Sequence, residues 1–151
     1  MKFSKRRKIY IALSAVILLA VLTIIFVLSA QNGQDSSSTS GWVVELMTAV
    51  FGTIPEENTI RILAHFCEFA GLGFLFANFI FSLKNKPKPI LSFSLSSLYA
   101  LTDEIHQYFV PGRACQLTDW LVDTCGAVLG VAVFYILFGI IQKHTNKNKE
   151  V

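Results

Sequence analysis

A chain of 151 residues that is 53% hydrophobic, carries 13 Phe and has a mean hydropathy of +0.54 is too apolar for an ordinary water-soluble domain and long enough for one compact unit. The net charge of +3 does not describe a nucleic-acid surface, because the basic residues fall in short clusters that flank apolar runs. The expectation is one all-α domain, residues 1–151, forming an integral membrane bundle of four transmembrane helices.

A hydrocarbon core of about 30 Å takes roughly 20 apolar helical residues, and the expected spans are residues 9–30, 64–83, 90–108 and 120–141. The first follows a basic segment (Lys2, Lys5, Arg6, Arg7, Lys8) and so resembles a signal peptide. Its apolar run is longer than the roughly 7 to 15 residues of a signal core, and Leu28 is bulky where cleavage needs a small side chain, so it reads as a retained anchor.

Residues 31–41 form a Ser-, Thr-, Asn-, Gln- and Gly-rich linker. The apolar stretch that follows, from Trp42 to Phe51, is too short to span and suggests an interfacial or re-entrant helix in the first outer loop. Pro55, Glu56, Glu57 and Asn58 read as a polar turn, with Asn58 or Thr59 as a candidate cap for the second span.

The second span opens with His65 and Glu68, three apart and therefore on one helix face. The third offers only 13 mostly apolar residues, 90–102, before Asp103, Glu104, His106 and Gln107; a full span must carry these polar groups into the outer part of the bilayer, with a stop at Pro111-Gly112. Asp103 shares a face with His106 and Gln107. The fourth opens with Asp119 and Asp123, four apart. Ionisable groups at membrane depth cost about 2.5 to 3.5 kcal/mol each on insertion scales, so such a cluster should face the bundle interior or a water-filled pocket, joined by Arg113 from the loop. Taken singly, each has a plainer reading: Asp119 as a helix cap, His65 as a structural histidine, Gln107 and Asp123 as interhelical hydrogen-bonding groups, Arg113 as an ion-pair partner of Glu104.

Of the 13 Lys and Arg, 11 precede the first span, separate the second from the third, or follow the fourth. The positive-inside rule makes that side cytoplasmic, with both termini on it. The three cysteines form no CxxC pair, and Cys67 and Cys125 read as small buried apolar residues. Gly71, Gly73, Gly126 and Gly130 read as positions where helices approach closely.

The segment His65-Phe66-Cys67-Glu68-Phe69-Ala70-Gly71-Leu72-Gly73, the run Asp103-Glu104-Ile105-His106-Gln107-Tyr108-Phe109-Val110-Pro111-Gly112-Arg113, and Asp119 with Gly126 resemble the VanZ-like family of small bacterial membrane proteins. The resemblance covers nearly the whole chain. It implies an envelope protein of the bacterial plasma membrane, associated in the family's namesake with low-level resistance to the glycopeptide teicoplanin. It also implies a distant link to a superfamily containing phosphatidylserine synthases, for which lipid-headgroup hydrolysis or exchange is proposed. In one departure the chain has Asp123 where family members usually show Asn.

The resulting expectation is an outward-facing site acting on phosphate-linked lipid headgroups. His106 serves as general base or nucleophile, Asp103 and Glu104 orient it, His65 and Glu68 form the opposing wall, and Arg113 clamps the anion with Gln107, Asp119 and Asp123 beside it. A divalent cation is the candidate cofactor, with Asp103, Glu104 and Glu68 as its ligands. The expected partner is a membrane lipid or a lipid-linked envelope precursor, and not nucleic acid. The alternative is a non-catalytic module that binds or occludes antibiotic or precursor lipid. A third reading, a small transporter subunit, lacks ionisable residues in the inner half of the spans.

Overall fold

The computed structural model describes residues 4–30, 48–49, 57–113 and 115–147. Four helices account for most of them: α1 (Lys5–Ser29), α2 (Glu57–Lys84), α3 (Pro89–Tyr108) and α4 (Leu117–Lys147). The expected helix between Trp42 and Phe51 lies outside the described residues except for 48 and 49.

Local chemistry explains the boundaries. Ser4 caps α1, its hydroxyl accepting the Arg7 N–H at 3.3 Å. Pro89 opens α3 at the position where a missing N–H costs nothing. The α2–α3 turn passes through Asn85 at φ 53°, a left-handed conformation that Asn tolerates. After α3 the chain reverses in a type II turn: the Arg113 N–H donates to the Val110 carbonyl at 3.1 Å, with Pro111 second and Gly112 third at φ 80°, where a side chain would be strained. α2 is already helical at Glu57, so Asn58 and Thr59 lie within its first turn and do not cap it. His65 and Glu68 consequently fall in its third and fourth turns.

The helices run up and down. Arg7 at the start of α1 donates to the Ser82 carbonyl at the end of α2 at 3.0 Å, and the Lys88 N–H before α3 donates to the Tyr135 hydroxyl of α4 at 2.9 Å. At the opposite end, Ser29 of α1 meets Gln107 of α3, and His65 of α2 meets Asp123 of α4. The basic flanking segments thus share one end of the bundle and the acidic constellation the other.

α2 and α4 pack most extensively, and glycine makes this contact close. A Cβ at Gly126 would collide with the Phe66 carbonyl, one at Gly73 with the Ala127 carbonyl, and one at Gly130 with the Ala70 carbonyl. Gly71 differs from the expectation: a Cβ there meets nothing, because it faces away from this seam. Cys67 and Cys125 are exposed and not buried, each one residue off the face that carries the glycine contacts. Farther along the seam the phenylalanines interlock, Phe74 edge-on to Phe134 and Phe81 against Phe138.

The interior sets buried polar residues beside an apolar core that includes Leu18, Ile25, Phe69, Leu72 and Ala100. Ser14, Ser29, Ser92, Ser96, Asp103, Glu104, Gln107 and Asp123 are buried, while Leu, Ile, Val and Phe cover the outer faces of α1, α3 and α4. α1, α2 and α4 are each long and apolar enough to cross a membrane. α3 falls short of that measure because its inner face carries serines, Asp103, Glu104 and Gln107.

Candidate functional site

α3 contributes the centre. Asp103 is 3% exposed and Glu104 1%, and Gln107, one turn beyond Asp103, is also buried. The Gln107 amide donates both to Asp103 Oδ2 and to the Ser29 hydroxyl, each at 2.9 Å, which ties α3 to the last turn of α1. Glu104 turns the other way. Its Oε2 accepts the Gln116 backbone N–H at 2.9 Å, so the chain leaving the Pro111-Gly112 turn is pinned back onto α3.

α2 and α4 form the facing wall. Asp123 is fully buried, at 0% exposure, and its Oδ1 lies 3.5 Å from His65 Nδ1. That separation suits ionic attraction and is long for a hydrogen bond. Gly126 sets the pairing: it lies one turn from Asp123 and rests against the carbonyl of Phe66, the neighbour of His65. Glu68, one turn along α2 and half-buried, lies within range of the charges of His65, Asp103, Asp123 and Arg113.

Arg113, carried by the type II turn, is half-buried and feels Asp103, Glu104 and Glu68. Burial, and then the nearby Arg61, lowers its pKa from the ordinary guanidinium value while those carboxylates raise it. Asp119 sits at the rim and pairs with Arg61 Nη2 at 3.3 Å, so it anchors α4 to α2 where a simple helix cap was the plainer expectation.

His106 is placed differently from the sequence-based expectation. Its ring stacks on Phe26 of α1 with centroids 4.3 Å apart. No hydrogen bond or ion pair among the described residues joins it to Asp103 or Glu104; the histidine that faces a carboxylate is His65. Ser29, Phe26, Arg61 and the Gln116 backbone also belong to this region. Of these, Ser29 left a sequence signal, as a polar residue on the same face of α1 as Ser14, Leu18 and Ile25.

Among the described residues, buried polar atoms without a hydrogen-bond partner concentrate here: Asp103 Oδ1, Glu104 Oε1, His106 Nε2 and Asp123 Oδ2, beside the His65 Nδ1–Asp123 Oδ1 ion pair at 3.5 Å. Each such atom costs about 1 to 3 kcal/mol, and more when charged, so a fold does not accumulate them in one place without a reason. A divalent cation does not fit as that reason. Among the described residues no three His, Cys, Asp or Glu side chains are disposed to hold one metal ion, and the expected set Asp103, Glu104 and Glu68 does not form a ligand shell.

The fold and this site define a membrane protein whose helical bundle buries a polar cluster near one end. The VanZ/LLP1 family model matches residues 14–138, and the chain belongs to that family. The match includes every one of the site residues described above. Neither a curated protein nor a solved structure gives a match.

Proposed function

We propose that the chain crosses the bacterial plasma membrane four times, with both termini cytoplasmic, and acts at its outward-facing polar end on phosphate-linked lipid headgroups. The observation that carries this reading is the gathering beside Arg113 of the buried carboxylates of α3 and α4 and the His65–Asp123 pair, with several carboxylate oxygens lacking a hydrogen-bond partner among the described residues. Support for α3 as the fourth span comes from its outer face, where Leu91, Leu95, Leu98, Leu101 and Ile105 are all exposed, while Ser92, Ser96, Asp103, Glu104 and Gln107 are buried and lower the average. The even number of spans then keeps the basic clusters together on the cytoplasmic side.

In this reading His65 is the base in preference to His106, because it faces a carboxylate. Asp123 opposite Nδ1 favours the tautomer that leaves Nε2 to take a proton from an attacking hydroxyl, and it stabilises the imidazolium that forms. Arg113 offers its planar fork to the phosphate. Glu68 and Asp103 complete the wall around the reacting group. A lipid can reach such a site from the bilayer while its acyl chains stay in hydrocarbon.

The protein in nanodiscs, supplied with an envelope lipid extract, should release or exchange a headgroup detectable by mass spectrometry. His65→Ala and Arg113→Gln should each reduce turnover by about 100-fold or more. Undiminished turnover by His65→Ala at equal abundance would remove His65 from the chemistry. Labelling of a cysteine introduced at Lys86 by an impermeant reagent applied outside intact cells would overturn the orientation.

The near-complete burial of Glu104 and Asp123 favours a second reading, a non-catalytic module that binds or occludes a precursor lipid or a glycopeptide such as teicoplanin. It predicts that Asp103→Asn weakens binding and teicoplanin tolerance in proportion, with no product formed.

A further inference from the structure

The basic end of the bundle is assembled by contacts between helices. Arg7 of α1 donates to the Ser82 carbonyl at 3.0 Å and to the Leu83 carbonyl at 3.4 Å, which sets Lys5, Arg6 and Lys8 beside Lys84 at the end of α2 and the turn that carries Lys86 and Lys88. Phe81 of α2 lies against Phe138 of α4 with ring centroids 4.3 Å apart, and both helices run on toward this end, so Lys143 follows within about one turn of the level of Lys84. The side chains of Lys5, Arg6 and Lys8, the lysines of the turn and Lys143 are exposed. Arg7 differs: it is half-buried and covers the last carbonyls of α2, which removes the negative end of that helix from the surface. No Asp or Glu occurs in residues 1–34, 69–102 or 124–149, so the segments that form this end hold no acid to pair with these cations.

A soluble polyanion or the headgroups of the surrounding bilayer could meet such a surface, and the position of the cations favours the bilayer. Each group adjoins apolar side chains that are exposed: Ile9 and Tyr10 after Lys8, Ile90 and Leu91 after Lys88, Ile140 and Ile141 before Lys143. A lysine beside a lipid-facing residue lays its stem along hydrocarbon and sets its ammonium at the depth of lipid phosphate. Insertion with these loops on one side of the membrane requires only that the loops be basic. It does not require the Arg7 contacts that hold two of them together.

We propose that this end is a binding surface for anionic phospholipids, seated where the first turn of α1 meets the α2–α3 turn. The lipid phosphate accepts from the lysine ammonium groups, while the acyl chains run along the exposed apolar residues that follow them. A zwitterionic headgroup brings its own cation to the same surface and is held less well.

The test is retention of lipid by the full chain in detergent, offered equal amounts of phosphatidylglycerol and phosphatidylcholine, separated by gel filtration and counted by mass spectrometry. Purified protein keeps lipid retention apart from any effect of the same charges on insertion. Phosphatidylglycerol should be retained about fivefold or more over phosphatidylcholine at low salt, and the preference should fall to about twofold or less at about 0.5 M salt. The triple variant Lys84→Gln/Lys86→Gln/Lys88→Gln should lower the low-salt preference to about twofold or less. Lys5→Gln/Arg6→Gln/Lys8→Gln should do the same and keeps the test open if the first variant fails to fold. Equal retention of the two lipids by the native chain, or a preference that the folded variants keep, would overturn the assignment. Displacement of retained phosphatidylglycerol by heparin at equal charge would give the surface to a soluble polyanion instead.

Discussion

The two ends of the bundle are built from the same four helices and bury polar groups in opposite ways. At the basic end, Arg7 uses Nε and Nη2 to cover the last carbonyls of α2, and the Lys88 N–H finds the Tyr135 hydroxyl. At the acidic end, carboxylates and histidines are buried deeper yet keep oxygens and nitrogens without partners. The first arrangement uses charge to finish a fold. The second leaves buried polar groups short of hydrogen-bond partners among the described residues, and it is there that the proposed site is placed.

That contrast can be broken in graded ways. The largest effect is expected between the two ends, where Gly130 lies against the backbone of Ala70: Gly130→Val should cost about 3 kcal/mol or more, seen as loss of monodisperse protein in detergent, because backbone cannot yield as a flexible side chain would. Gly126→Ala should cost about 1 to 3 kcal/mol in thermal unfolding and, by forcing Phe66 away, separate His65 from Asp123. Headgroup turnover should therefore fall more than folded abundance does. Arg7→Gln, at the satisfied end, should lower stability by about 1 kcal/mol and leave turnover per folded molecule unchanged. Gly71→Ala should change stability by less than about 0.5 kcal/mol in either direction, the open surface removing any clash and helix propensity favouring Ala. A Gly126→Ala variant with full turnover, or an Arg7→Gln variant without it, would erase the distinction between the ends.

Much of this was legible in the residues. Charges interrupting apolar runs located the polar end, and spacings of three and four placed Asp103 with Gln107 on one face, where they are hydrogen-bonded. The bounds of α3 differ from expectation by one residue, since Pro89 and the Pro111-Gly112 turn mark both ends. What the residues did not disclose is register between helices. Periodicity within α3 cannot show that His106 turns to Phe26, which depends on how α3 sits against α1, nor that His65 meets Asp123, which depends on how far α2 slides along α4, where the glycine contacts decide. Gly71 and Gly73 look alike in sequence, yet only Gly73 meets the partner helix, because two residues correspond to a rotation of about 200°.

The most direct measurement is the thermal unfolding midpoint of the double variant His65→Leu/Asp123→Leu beside its headgroup turnover. Apolar side chains of similar size remove the unsatisfied atoms without leaving either charge alone. The account predicts a midpoint equal to the native value or several degrees higher, with turnover abolished. A midpoint lower by about 5 °C or more, or turnover that survives, would show that the pair holds the bundle together and is not kept for a ligand.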